Sequence, residues 1–122
     1  MPRSVLVVDD ETDLAGLLRL LLEGAGYQVA TAGDGRAALR LLAEARYDLV
    51  LSDVMMPYLD GVGLAAAMRA DPALRDTPLV LMSAAHAGAQ AAPHAAFLPK
   101  PFDIKDVLAT VARVLGPDLA DC

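Results

Sequence analysis

The sequence predicts an α/β protein, an open and doubly wound parallel sheet of five strands in the order 2-1-3-4-5. Three observations carry this. Short apolar runs rich in β-branched residues alternate with segments of helical periodicity along the chain. The runs lack polar alternation, which suits strands covered on both faces. Strands that alternate with helices pair in parallel through right-handed crossovers, and those crossovers place helices on both sides of the sheet.

The elements follow in order. SVLVVD, residues 4–9, is the first strand. Leu14, Leu17, Leu18, Leu21 and Leu22 then recur at i, i+3, i+4, i+7 and i+8, one face of a helix. Thr12 is its expected cap, and Gly24 or Gly26 its stop. QVATA (28–32) is the second strand, and Asp34 caps a helix that turns Ala38, Leu41, Leu42 and Ala45 inward. YDLVLSD (47–53) is the third strand. GVGLAAAMRA (61–70) is the third helix, its LAAAM stripe packed closely against the sheet. PLVLMS (78–83) and AAFLP (95–99) are the fourth and fifth strands. The last helix begins at Asp103, sets Ile104, Val107, Leu108 and Val111 on one face, and stops at Gly116-Pro117.

Composition bounds the function. A chain of 122 residues, 56% apolar and 21% charged, is expected to form one globular domain over 1–122. No apolar run approaches the ~18 residues of a membrane span, and the start carries no secretory pattern. The lone Cys122 cannot form an internal disulfide, which suits a reducing, cytoplasmic setting. A net charge of −6 argues against direct nucleic-acid binding by this chain. No membrane association is expected either.

Ligands of such sheets bind beyond the carboxyl ends of the strands, at the switch point between strands 1 and 3. The residues that end the strands are Asp9 and Asp10, then Asp53, then Ser83, then Lys100. The strand order therefore converges three carboxylates and flanks them with a hydroxyl and an ammonium. Acids at a helix start also suit the helix dipole, which is the structural alternative for Asp9 and Asp10. Together, three carboxylates suit a hard cation such as Mg²⁺, which takes one or two of them plus waters and a phosphate oxygen. An aspartate beside that cation can act as a nucleophile toward phosphorus, with Lys100 and Ser83 neutralising and positioning the group.

The pieces VLVVDDE, LVLSDVMMPYLDG, VLMSA and FLPKPF, in this order, resemble the receiver domain of bacterial two-component response regulators, which has a flavodoxin-like fold. The resemblance implies that Asp53 is the phosphoacceptor. It implies that Asp10 and Asp53 bind Mg²⁺ directly, that Asp9 acts through a bound water, and that the Met55 carbonyl completes the coordination. It likewise implies that Ser83 bonds the phosphoryl group, that Lys100 ion-pairs with it, and that Phe97 is the switch aromatic. Lys100-Pro101 resembles the family's cis peptide. The implied partners are a sensor histidine kinase or phosphotransfer protein in a phosphorelay and a downstream protein target, the chain being a monomer or a phosphorylation-dependent dimer. Such a domain promotes its own phosphorylation and dephosphorylation and is otherwise not an enzyme.

Two departures stand out. The stretch between Ser83 and Phe97 is about one and a half helical turns shorter than the family's. The expectation is a stunted fourth helix over 84–96 that orders on phosphorylation, with His86 and His94 as exposed loop residues. Met55 and Ala85, which in the family flank the phosphoryl group, carry no polar side chain here to orient an attacking water.

Two other classes share parts of this pattern. Haloacid-dehalogenase-type phosphatases need Asp-x-Asp-x-Thr after the first strand, where this chain has DDET. A flavin mononucleotide module needs a Ser/Thr/Gly phosphate loop there, and three acids would repel its ligand. The start at Met1 and the GPDLADC ending favour a stand-alone receiver over a fragment of a larger regulator or hybrid kinase.

Overall fold

The computed structural model describes residues 3–56, 59–83 and 95–116. Strand β1 (Ser4–Val8) leads into helix α1 (Thr12–Gly24), β2 (Gln28–Ala32) into α2 (Gly35–Glu44), and β3 (Leu49–Asp53) into α3 (Gly61–Ala70). Strands β4 (Leu79–Ser83) and β5 (Ala96–Pro99) follow, and α4 (Ile104–Leu115) is the last described element. All strands are parallel, in the order β2-β1-β3-β4-β5. The expected architecture is the observed one. The shortened segment 84–94 and its two histidines, with Ala85 and Cys122, lie outside the described residues.

The period of two along each strand divides the core into two layers. Val5 and Val7, Leu49 and Leu51, Val80 and Met82, and Leu98 face Ala15, Leu18 and Leu22 of α1 and Val107 and Val111 of α4. The alternate residues Leu6, Val8, Val50 and Leu81 face Ala38 and Leu42 of α2 and Leu64, Ala65 and Met68 of α3. Burial on both faces is why these strands read as unbroken apolar runs. No helix among the described residues is long and apolar enough to cross a membrane.

Five details of the helices differ from expectation. The α1 cap is Glu11, in extended backbone, and Thr12 is already helical. Leu17 is 51% exposed, because it lies about 100° round the helix from Leu18, past the edge of a buried stripe centred on Ala15, Leu18 and Leu22. Ala45 is exposed because α2 ends at Glu44 and the chain turns extended there, so helical spacing no longer places it inward. Ile104 is also 51% exposed, at the first position of α4 and outside the core cluster. In α3 the LAAAM stripe packs through Leu64, Ala65 and Met68, while Ala66 faces solvent.

The caps of α2 and α4 behave as read, whereas β3 begins at Leu49, two residues later than expected. Asp34 accepts from the Ala37 N–H at 2.9 Å and caps α2. Asp103 caps α4 in a reciprocal box with Asp106. Past the end of α1, Gly26 has φ +101°, a left-handed turn that glycine adopts without steric cost.

Candidate functional site

Register decides which strand-end residues meet. Val8 pairs with Ser52, so the next residues, Asp9 and Asp53, emerge level with each other from adjacent strands. Asp53 pairs with Met82 and Ser83 with Pro99, so Ser83 and then Lys100 each stand one step further out. The Lys100 N–H donates to the Ser83 carbonyl at 2.9 Å, which ties the two strand ends together. The Lys100-Pro101 peptide is cis. All five strand-end residues expected at this edge are therefore brought to it.

Burial separates the three acids. Asp9 is 2% exposed and Asp53 6%, whereas Asp10 is open to solvent. Asp53 Oδ2 lies 3.2 Å from Lys100 Nζ, and Asp53 Oδ1 takes a long hydrogen bond from the Met55 N–H at 3.4 Å. Asp9 Oδ1 accepts from the Glu11 N–H at 2.9 Å, so Asp9 fixes the turn into α1 that the helix's own cap leaves unbonded. Its Oδ2 is buried without a hydrogen-bond partner. Burial pushes the Asp9 carboxyl above its ordinary range; the Glu11 N–H opposes this, the Asp53 charge adds to it, and Lys100 opposes it.

One carboxylate oxygen from each of Asp9, Asp10 and Asp53 lies within 4.8 Å of the others. Three acids thus lie together with one ammonium beside them, and the most buried of the three keeps one carboxylate oxygen without a hydrogen-bond partner. Oxygen donors of that number and charge fit a hard divalent cation. Met55 is 78% exposed as a residue, and its backbone N–H is the part of it bonded to Asp53. Phe97 is half-buried against the layer formed by α2 and α3.

Motif spacing does not single out two glycines that shape the site. A Cβ on Gly61 would stand 2.5 Å from the Asp53 carbonyl oxygen and 2.8 Å from the Val54 Cα. A Cβ on Gly35 would stand 2.5 Å from the Leu59 carbonyl oxygen. A glycine just after a helix cap, as in Asp60-Gly61 and Asp34-Gly35, is the only trace of this in the sequence.

The profile of the response regulator receiver domain matches residues 5–112. The DNA-binding response regulator MtrA of Mycobacterium tuberculosis is 40% identical over 84 residues, 69% of this chain and 36% of that protein. The response regulator MprA of Mycolicibacterium vanbaalenii is 39% identical over 121 residues, 94% of this chain and 51% of that protein. The chain spans about a third to a half of the length of these relatives. A chemotaxis response regulator of Vibrio cholerae superposes with a TM-score of 0.87 at 33% identity, covering 93% of this chain and 99% of that one. The receiver domain of a Pseudomonas aeruginosa sensor histidine kinase, solved with magnesium in its active-site cleft, superposes with a TM-score of 0.85 at 26% identity. That match covers 96% of this chain and 100% of the other. With the doubly wound sheet and an acidic cluster at its switch point, these matches establish that the chain belongs to the response regulator receiver domain family, the phosphoacceptor modules of two-component signalling.

Proposed function

We propose that Asp53 accepts a phosphoryl group from a phosphohistidine and that Asp9, Asp10, Asp53 and the Met55 carbonyl hold the Mg²⁺ the transfer requires. The observation that carries this is the three-carboxylate cluster with Lys100 Nζ 3.2 Å from Asp53 Oδ2. Bound Mg²⁺ supplies charge neutralisation for the phosphoryl oxygens. A carboxylate oxygen of Asp53 attacks phosphorus, and the phosphorus–nitrogen bond breaks with its electron pair returning to the imidazole. Lys100 then holds a phosphoryl oxygen in place of the Asp53 carboxylate, and Ser83, one step outward, hydrogen-bonds another. Such a switch draws on two conformations already present, with Phe97 as the candidate side chain that turns between them.

Receiver domains pair with histidine kinases or phosphotransfer proteins. Here the donor would approach over the hollow of about 500 Å³ that Leu14, Pro101 and Phe102 form beside Glu11 and Lys100. Output passes to a downstream protein target, in a cytoplasmic setting, with a monomer–dimer change as one form of readout. The chain matches only part of its longer relatives, so a receiver within a larger regulator is an equally developed reading of output. In that case nucleic-acid binding would belong to another domain, because the net charge of −6 disfavours it in this one.

The test is intact mass after incubation with a small phosphodonor and Mg²⁺. One phosphoryl group is expected on the wild type and none on Asp53→Asn or in excess chelator. Labelling that persists in either would overturn the assignment.

A further inference from the structure

The loop that leaves Asp53, described at residues 54–56 and 59–60, is held by residues outside the acid cluster. It closes on itself through the Gly61 N–H, which donates to the Val54 carbonyl at 2.9 Å. At its far end the Leu59 carbonyl accepts from the Gly35 N–H at 3.0 Å. That N–H is one of the donors at the start of α2 that no residue of its own helix can satisfy. Gly35 is buried, and a Cβ there would meet the Leu59 carbonyl oxygen at 2.5 Å and its side chain at 2.9 Å. On the other side, a Cβ on Gly63 would meet Leu59 Cδ1 at 2.6 Å. Leu59 is thus clasped between the first turns of α2 and α3 by two residues that have no side chain.

The clasp bears on the chemistry because the same loop orients the reacting group. Met55 N–H holds Asp53 Oδ1, and Gly61 packs directly on the Asp53 carbonyl. Neither contact survives a shift of the loop unchanged. We propose that Gly35 and Leu59 are positioning residues of the reaction: by clasping the far end of the β3–α3 loop they hold Met55 and the Asp53 carboxylate in the geometry that binds the divalent cation. This rests on the cation site proposed above. It adds a residue on α2, outside the strand-end cluster, to the machinery.

The experiment compares wild type, Gly35→Ala, Leu59→Ala and Leu42→Ala by calorimetric titration with Mg²⁺, followed by labelling with a small phosphodonor at saturating Mg²⁺. Leu42 is a buried core residue of the same helix and reports loss of stability alone. Weakening of Mg²⁺ binding by about 10-fold is expected for Gly35→Ala and Leu59→Ala, as for residues that orient metal ligands elsewhere, with Leu42→Ala unchanged. Labelling of both at saturating Mg²⁺ is expected to return toward wild type. Should Gly35→Ala fail to fold, Leu59→Ala, which inserts nothing, decides alone. Unchanged affinity in Leu59→Ala, or an equal loss in Leu42→Ala, overturns the proposal. Failure of wild type to label on Asp53 overturns the phosphoacceptor assignment, and the Mg²⁺ titration still judges the clasp.

Discussion

Lys100 Nζ reaches across the end of β4 to lie 3.2 Å from Asp53 Oδ2, pairing side chains that are 25% and 8% exposed. The pair forms because β5 emerges two steps further out than β3, so a long side chain can lean back over the acids. It is the one cation on a cluster of three carboxylates among the described residues. Removing it leaves buried negative charge uncompensated, which is more costly than forming the pair was favourable.

Lys100→Met is therefore expected to lower stability in chelator by about 1–3 kcal/mol. The loss should shrink when Asp53→Asn is present, since the charge left unpaired is gone. Urea unfolding of the four proteins of that double-mutant cycle measures the coupling. Independent, additive losses would show that the two groups do not depend on each other.

Asp9 gives a pH dependence of unusual sign for an acid. Burial raises its folded-state pKa above the unfolded value. Below the unfolded pKa both states carry the proton and Asp9 contributes nothing. As pH rises, the unfolded chain ionises first, so stability falls until the folded-state pKa is passed, and the loss then stays constant. Asp9→Asn should accordingly be more stable than wild type at pH 7 in chelator, with the gap closing toward pH ~4. Mg²⁺ should reverse the order, since at ~100 times Kd it adds ~2.7 kcal/mol to the wild type. Thermal midpoints across pH, with and without Mg²⁺, test both halves. A wild type indifferent to Mg²⁺ would falsify the second.

The strand-end acids were legible in the sequence because topology alone carries them to one edge. Which acid is buried was not legible. Asp9 and Asp10 are neighbours of identical chemistry, and only the turn into α1, fixed by the bond from Glu11 N–H to Asp9, sends one inward and the other to solvent. Leu17 failed for a related reason, since a stripe of five leucines is wider than the face the sheet can cover. The clasp at Leu59 was invisible because it depends on two helix starts meeting one loop, and no spacing along the chain encodes that.

Two glycines should respond to the same substitution with opposite signs. Gly16 lies within α1 with nothing within 4 Å of an added Cβ, so Gly16→Ala should stabilise by about 0.5–1 kcal/mol through helix propensity. Gly61 would drive its Cβ into backbone atoms of Asp53 and Val54, which cannot rotate away. Gly61→Ala should cost at least about 1–3 kcal/mol and weaken Mg²⁺ stabilisation as well. Urea midpoints of the two variants settle the signs, and a neutral Gly61→Ala would mean that the loop has slack the contacts do not suggest.

The lifetime of the aspartyl phosphate is the last expectation. Hydrolysis needs a water aligned opposite the bond to Asp53, and a polar side chain beside the phosphoryl group is the natural way to align it. Met55 meets Asp53 through its backbone N–H, the residue as a whole is 78% exposed, and its thioether is neither a donor nor a strong acceptor to hold that water. Met55→Asn, alone and with Ala85→Glu, should shorten the lifetime several-fold, short of the ~10²-fold that a full general base supplies. The decay of phosphorylated protein, followed by intact mass after removal of the donor, gives the rate. Equal decay in wild type and the double variant would mean that water is aligned by some other group, and that the side chain at 55 is not what sets the lifetime.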